Sequence, residues 1–398
     1  MSVSINGNGA HGESPCPCWD KEISIETFCA HGWTKTESKT GALSTPIVLS
    51  STFAHPDLNH SSGFDYSRGL NPTRLELEQT VAALEHTEYG LAFSSGMAAI
   101  STWVKQFVPG DHVLVSEDLY GGTWRMFNHY SRYGINFEFI DTSDKKKLLA
   151  SIKPETKALF IETPSNPMMR ITDIKFCADL IHKNGGTLCV DNTFLSPYLQ
   201  QPEKFGADCI IHSGTKYLGG HNDVIAGFLC YSGKENDEFF RAQAMSEGAA
   251  LSPFDSWLVL RGIKTLPLRM DRSCDNAEKI ADFLKTVPTV EKVFFAGFAS
   301  GDELEVQKSQ SKRFGAMISF YVKDEKKIPE ILSRFKVISF AESLGGVQSL
   351  ITYPVTQTHN SIPKELREKA GVNDKLLRLS VGIENADELI ADLEQALN

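Results

Sequence analysis

Long apolar runs are missing from this 398-residue chain. Nothing approaches the ~18–20 consecutive apolar residues of a membrane-spanning helix, so no membrane partner is expected. Basic blocks are missing as well. Lys and Arg number 40 against 50 Asp and Glu, for a formal net charge of -10. Without a cluster of cations to neutralise phosphates, nucleic acid is not an expected partner. No charged-then-apolar pattern follows Met1, and a cytoplasmic location is expected. The eight cysteines form no ligand cluster. Apart from Cys16 and Cys18 they lie singly in helical or strand-like stretches, as small hydrophobes do. Cys16-Pro17-Cys18 is too tight for a zinc knuckle and no histidine completes it, so no metal is expected. What remains is a chain 41% hydrophobic and 23% charged, the balance of a globular enzyme large enough for two domains.

Residues 1–20, rich in Ser, Asn, Gly and Pro, show no period and read as a disordered arm. The arm continues to about 62 through a short helical segment and an irregular stretch. From 63 to 257 helices and strands alternate: a helix over Arg74–Leu84, a helix from Gly96 to Phe107, and strands at His112–Val115, Ala158–Ile161 and Thr187–Val190. That rhythm implies parallel strands covered by helices. A long amphipathic segment, Ser252 to Val287, leads into a smaller α+β domain over 258–398. Its expected elements are strands at Met317–Val322 and Val337–Phe340 and helices at Ile328–Phe335 and Ala386–Leu397.

Lys216 stands in His212-Ser213-Gly214-Thr215-Lys216-Tyr217, directly after an apolar strand. A lysine among small hydroxyl residues suits an aldehyde cofactor held as a Schiff base. Upstream, Leu188-Cys189-Val190-Asp191 places an acid at the C-terminal end of a strand, where ligands of open α/β sheets collect. Such a carboxylate keeps a pyridine nitrogen protonated. Ser94-Ser95-Gly96-Met97 opens a helix, so bare N–H groups and the helix dipole can meet a phosphate. Ser213 and Thr215 offer hydroxyls to the same group, and Tyr120 follows a strand where it can stack on a ring.

These segments, together with Phe64-Asp65-Tyr66-Ser67-Arg68, Glu162-Thr163-Pro164-Ser165-Asn166-Pro167, Glu342-Ser343-Leu344-Gly345-Gly346 and Leu377-Arg378-Leu379-Ser380, occur in the order found in the cysteine and methionine metabolism family of pyridoxal-phosphate enzymes. The chain resembles that family from about Thr45 to Asn398. The resemblance implies the aspartate aminotransferase-like fold type I, with a mostly parallel central sheet and a smaller C-terminal domain. It implies pyridoxal 5'-phosphate as cofactor, with Lys216 as its covalent anchor and proton shuttle and Asp191 as the partner of its ring nitrogen. Tyr120 would stack on the ring and act as a base. Gly96, Met97, Ser213 and Thr215 would bind the phosphate, together with Tyr66 and Arg68 reaching from a neighbouring subunit. A homotetramer with shared sites follows from that arm. Arg378 would clamp the substrate α-carboxylate bidentately, helped by Asn166 and Ser343, and Glu342 would face a distal ammonium.

Departures from the family pattern are Gly69-Leu70 after Arg68, Gln348, and Gly214 where alanine or cysteine is usual, a change read as a looser backbone. Gly122 stands where methionine γ-lyases resemble one another in having cysteine, which speaks against methionine cleavage. Glu342 supplies a carboxylate where γ-acting enzymes that handle cystathionine resemble one another in having one, and the stretches Ser349–Pro354, Thr356–His359 and Gly219–Asp223 look most like bacterial cystathionine γ-synthases that also act as O-acetylhomoserine sulfhydrylases. The expected reaction is therefore γ-replacement on an activated homoserine ester with cysteine or another thiol, giving cystathionine. The alternatives are cystathionine γ- or β-lyase activity, γ-substitution by a non-thiol nucleophile in secondary metabolism, and a non-catalytic cofactor-binding relative.

Overall fold

The computed structural model describes Ser2–Val3, residues 23–34 and residues 39–398. The expected disorder over 1–20 and the Cys16-Pro17-Cys18 segment fall almost wholly outside the described residues. The fold class is α/β, with mostly parallel central strands and a smaller C-terminal sheet. In chain order the central strands are β1 (Tyr89–Phe93), β2 (His112–Ser116), β3 (Asn136–Ile140), β4 (Thr156–Glu162), β5 (Thr187–Asp191), β6 (Cys209–Ser213) and β7 (Gly227–Tyr231). The later sheet has β8 (Val290–Phe294), β9 (Met317–Val322), β10 (Ser339–Phe340), β11 (Leu350–Thr352) and β12 (Leu376–Ser380).

The chain divides into two compact units, one of residues 1–106 and 201–267, the other of 107–200 and 268–398. In the first, β7 pairs antiparallel with β1 on one side and β6 on the other. In the second, β3, β2, β4 and β5 lie side by side, all parallel. β2 is buried at every position and β4 at all but Lys157, the continuous apolar pattern of strands covered on both faces. The smaller sheet runs β8-β9-β12-β11-β10, antiparallel except where β10 joins β11.

Several boundaries have visible causes. The first long helix begins at Pro72, because the Asn71 side chain accepts from the N–H groups of Thr73 and Arg74 and proline fits the first turn. The segment expected as one amphipathic element, Ser252 to Val287, is two helices, Pro253–Ile263 and Leu266–Leu284. The break precedes Pro267, which cannot continue a preceding helix. The strand expected over Val337–Phe340 is only Ser339–Phe340. The N–H groups of Lys336, Val337 and Ile338 instead all donate to the Asp392 carboxylate, at 2.8–2.9 Å. Cys29, Cys177, Cys189, Cys209, Cys230 and Cys274 are buried, packed as small apolar residues.

Candidate active site

In the first unit β6 ends at Ser213 and the chain turns tightly. Lys216 N–H donates to Ser213 O (3.2 Å), Gly219 N–H to Gly214 O (2.9 Å) and Gly220 N–H to Lys216 O (2.7 Å). The helix Pro253–Ile263 backs onto this turn through Gly262, where a Cβ would stand 2.3 Å from Gly219 O and 2.7 Å from Leu218 O. Lys216 is thus carried, half-buried, on a braced turn. Gly214 has a packing cause rather than a looser backbone. A Cβ there would lie 2.4 Å from Cε2 of Phe228, a ring with no exposure.

The helix Gly96–Val104 starts beside the same strand end. Its N-cap Ser95 accepts from Ala98 N–H at 3.2 Å. The N–H groups of Gly96 and Met97, first in the helix, have no intrahelical acceptor and sit at the positive end of its dipole. A Cβ on Gly96 would come 3.1 Å from both Cα and Cβ of Ser213, so the two candidate phosphate residues adjoin. The Thr215 hydroxyl is turned to Ala226, accepting its N–H at 3.1 Å and lying 3.3 Å from its carbonyl. Tyr66 and Arg68 are exposed. Arg68 donates to Met245 O at 2.6 Å, with its guanidinium 5.6 Å from the Tyr66 ring centre.

The second unit holds the other candidates. Arg378, on β12, is 1% exposed, so it is no surface ion-pair residue. Its Nη1 donates to Asn166 Oδ1 at 2.8 Å and its Nη2 to Ser343 O at 3.1 Å and toward Thr352 Oγ1 at 3.4 Å. Three residues singled out for one task are therefore together. Ser343 adopts φ 95°, a backbone conformation that side chains rarely tolerate. Glu342, one residue earlier, is exposed in a loop rather than at a helix start. Tyr120 is 40% exposed and caps the helix Gly121–Tyr130. A Cβ on Gly122 would stand 2.4 Å from its ring. Asp191 closes β5, with Oδ1 accepting from the N–H and hydroxyl of Thr193 at 3.0 and 2.5 Å, bonds that favour the anion.

Three more residues, none given a role by the sequence, are Glu162, Asp118 and His359. Glu162 ends β4 opposite Asp191 and accepts the Tyr120 N–H at 3.0 Å. Burial, then the charges of Asp191 and Asp118, push its carboxyl well above the usual range. Asp118 takes hydrogen bonds from the Ser165 hydroxyl and from Met168 N–H, and burial lifts it to about 6. His359, wholly buried, donates from Nε2 to Asn166 O at 3.2 Å and meets the Thr358 hydroxyl at Nδ1, 2.8 Å away. Burial and then the Arg378 charge lower it to about 4. The signal for Glu162 was in the sequence: like Asp191, it is an acid at the end of an apolar strand.

The donor sets fit pyridoxal phosphate. The first unit supplies two bare N–H groups beside Ser213 for a phosphate and Lys216 for an aldehyde. The second supplies an anion suited to a pyridine nitrogen and a buried guanidinium suited to a carboxylate. Among the described residues no group of three or more His, Cys, Asp or Glu could hold a metal.

Known proteins agree. The family model described as Cys/Met metabolism PLP-dependent enzyme matches residues 26–398. Cystathionine gamma-lyase of Bacillus subtilis (strain 168) is 46% identical over 373 residues, covering 94% of this chain and 98% of that protein. Cystathionine beta-lyase of Lactococcus lactis subsp. cremoris (strain MG1363) is 46% identical over 375 residues, covering 94% and 99%. The crystal structure of cystathionine gamma synthase from Xanthomonas oryzae pv. oryzae in complex with cystathionine superposes with a TM-score of 0.92 at 39% identity, over 94% of this chain and 98% of that one. Fold and site define a pyridoxal-phosphate-dependent enzyme of fold type I acting on small molecules. The chain belongs to the Cys/Met metabolism PLP-dependent enzyme family, the enzymes of trans-sulfuration. A non-catalytic reading falls with that assignment.

Proposed function

We propose that the enzyme catalyses γ-replacement, joining an activated homoserine ester to cysteine with release of the acyl carboxylate. The observation that carries this reading is the loop Glu342-Ser343. The Ser343 carbonyl holds Arg378, while the adjoining Glu342 carboxylate is exposed and suited to pair with the distal ammonium of cysteine or cystathionine. Arg378, with Asn166 and Ser343, binds the substrate α-carboxylate through its planar fork. When bound, the cofactor draws electron density from the substrate Cα and makes its proton acidic. Asp191 keeps the ring nitrogen protonated, and Gly96, Met97, Ser213 and Thr215 take the phosphate. Lys216 Nζ takes the Cα proton and, once it has passed that proton on and is again a free amine, takes one from Cβ. The Cγ–O bond breaks as the acyl carboxylate departs with the bonding pair, the thiol gives up its proton to solvent as its sulfur bonds to Cγ, and Lys216 carries protons back to Cβ and Cα in turn. Tyr120 takes the proton of the incoming amine.

The assembly we propose is a homotetramer in which Tyr66 and Arg68 reach a neighbour's phosphate, in the cytoplasm. Along the chain we divide it into an arm (1–62), a cofactor domain (63–257) and a small domain (258–398). The same residues serve cystathionine cleavage, and the two lyases at 46% identity favour that as the second reading. Mass spectrometry after incubation with O-acetylhomoserine and cysteine, and separately with cystathionine alone, distinguishes the two. Cystathionine as main product is expected. Pyruvate or 2-oxobutyrate formed from cystathionine, with no cystathionine synthesis, replaces the reading with a lyase.

A further inference from the structure

β4 and β5 run parallel, with Glu162 and Asp191 as register partners at their C-terminal ends. Partners on adjacent strands lie ~4.8 Å apart in the backbone and point to the same face. Both residues are buried, 6% and 9% exposed. Two carboxylates so placed do not both ionise readily in a low dielectric. Their surroundings divide the roles. Asp191 Oδ1 receives two hydrogen bonds from Thr193, whereas Glu162 receives one, from the Tyr120 N–H. The Asp118 carboxyl acts on Glu162 in the same sense as Asp191, and Arg378 opposes them more weakly.

We infer that Glu162 is a neutral carboxylic acid in the working enzyme and a positioning residue for the cofactor. Its proton, on Oε1, leaves Asp191 as the single negative charge for the ring nitrogen. Its Oε2 fixes the Tyr120 amide and with it the first turn of the helix that carries the ring. The inference rests on the reading of Asp191 as the partner of the ring nitrogen. It gives a role to the glutamate that opens the Glu162–Pro167 motif. It also explains why an acid, rather than an amide, can stand there without competing with Asp191.

Infrared difference spectra of the holoenzyme test it. The carbonyl stretch of a protonated carboxylic acid is expected at neutral pH in the native enzyme and absent in Glu162→Gln. In Asp191→Asn, which removes the neighbouring charge, that band is expected to disappear at a lower pH than in the native enzyme, a coupling that a purely structural glutamate lacks. Glu162→Gln, still neutral and still an acceptor, keeps the native affinity for added pyridoxal phosphate, while Glu162→Leu weakens it about tenfold, as for one buried hydrogen bond. A carboxylate band in place of the acid band at neutral pH, or a titration unmoved by Asp191→Asn, overturns the inference. If Asp191→Asn leaves the visible absorption of the holoenzyme unchanged, the reading of Asp191 fails, and the positioning role falls with it even where the acid band is present.

Discussion

The candidate phosphate residues of the first unit and the candidate carboxylate residues of the second are built on different principles. The first uses backbone N–H groups at the start of the helix Gly96–Val104 and a turn whose bonds close within a few residues, Ser213 to Lys216, Gly214 to Gly219 and Lys216 to Gly220. The second depends on side chains brought from far apart, for Arg378 and Asn166 are 212 positions distant along the chain and 2.8 Å apart in space. A site made of local backbone tolerates changes of side chain but not of shape. A site made of distant side chains tolerates changes of loop but not of functional group.

The sharpest break is Lys216→Ala, which removes the one irreplaceable side chain of the first unit's set. Activity is expected to fall by about 10³-fold or more, the scale of losing a proton-transfer group, with loss of the visible absorption of the holoenzyme. Arg378→Lys comes next and addresses the second unit's set. It keeps the charge but loses the fork, so kcat/KM with either substrate should fall about 10²-fold, mostly through KM, since hydrogen bonds to charged groups are worth ~1.5–3 kcal/mol each. A lysine variant as active as the native enzyme would mean that Asn166 and Ser343 hold Arg378 for packing alone.

Acid titration sharpens the comparison further. Asp118 and His359 both line a cavity of about 680 Å³ in the second unit. His359 is lowered from 6.5 to about 4. The unfolded chain therefore takes up its proton first, and the stability it contributes above pH 6.5 is lost as pH falls toward 4. Asp118 is raised from 3.8 to about 6. Here the folded chain protonates first, and the contribution is full below pH 3.8 and lost as pH rises through about 6. At ~1.4 kcal/mol per pH unit each is worth about 3 kcal/mol, and in the native enzyme the two nearly offset. Relative to it, His359→Gln should gain stability as pH falls from 6.5 to 4, and Asp118→Asn should lose it. Denaturant unfolding across that range checks both signs, and parallel curves for all three proteins would refute the assignment.

The smallest effect concerns shape in the first unit. Gly214→Ala forces a methyl against the buried Phe228 ring and should cost about 1–3 kcal/mol, read as a lower unfolding midpoint with little change in the holoenzyme's absorption. An unchanged midpoint would show that Phe228 can move, and that the glycine is a matter of backbone freedom after all.

The contrast also explains what the sequence disclosed. Lys216, Asp191 and Gly96 announce themselves because each lies at the end of a strand or the start of a helix, and those ends follow from apolar runs and small residues. Arg378 emerged only through resemblance, since nothing near Leu377 or Leu379 says which residue faces it across the unit. Glu162 stayed without a role because its meaning is register, its place opposite Asp191, and register between parallel strands is set by the packing of whole layers. The shortened β10 has the same origin: Asp392, far along in the closing helix, takes the amides that pairing would have used. The split of the long helical segment, by contrast, was written in Pro267.

Gly262 has one more consequence. Because the turn bearing Lys216 is closed by its own amides and leans on that glycine, any larger residue at 262 would press on backbone rather than on a side chain that can swing aside, and the displacement would pass directly to the lysine's own peptide.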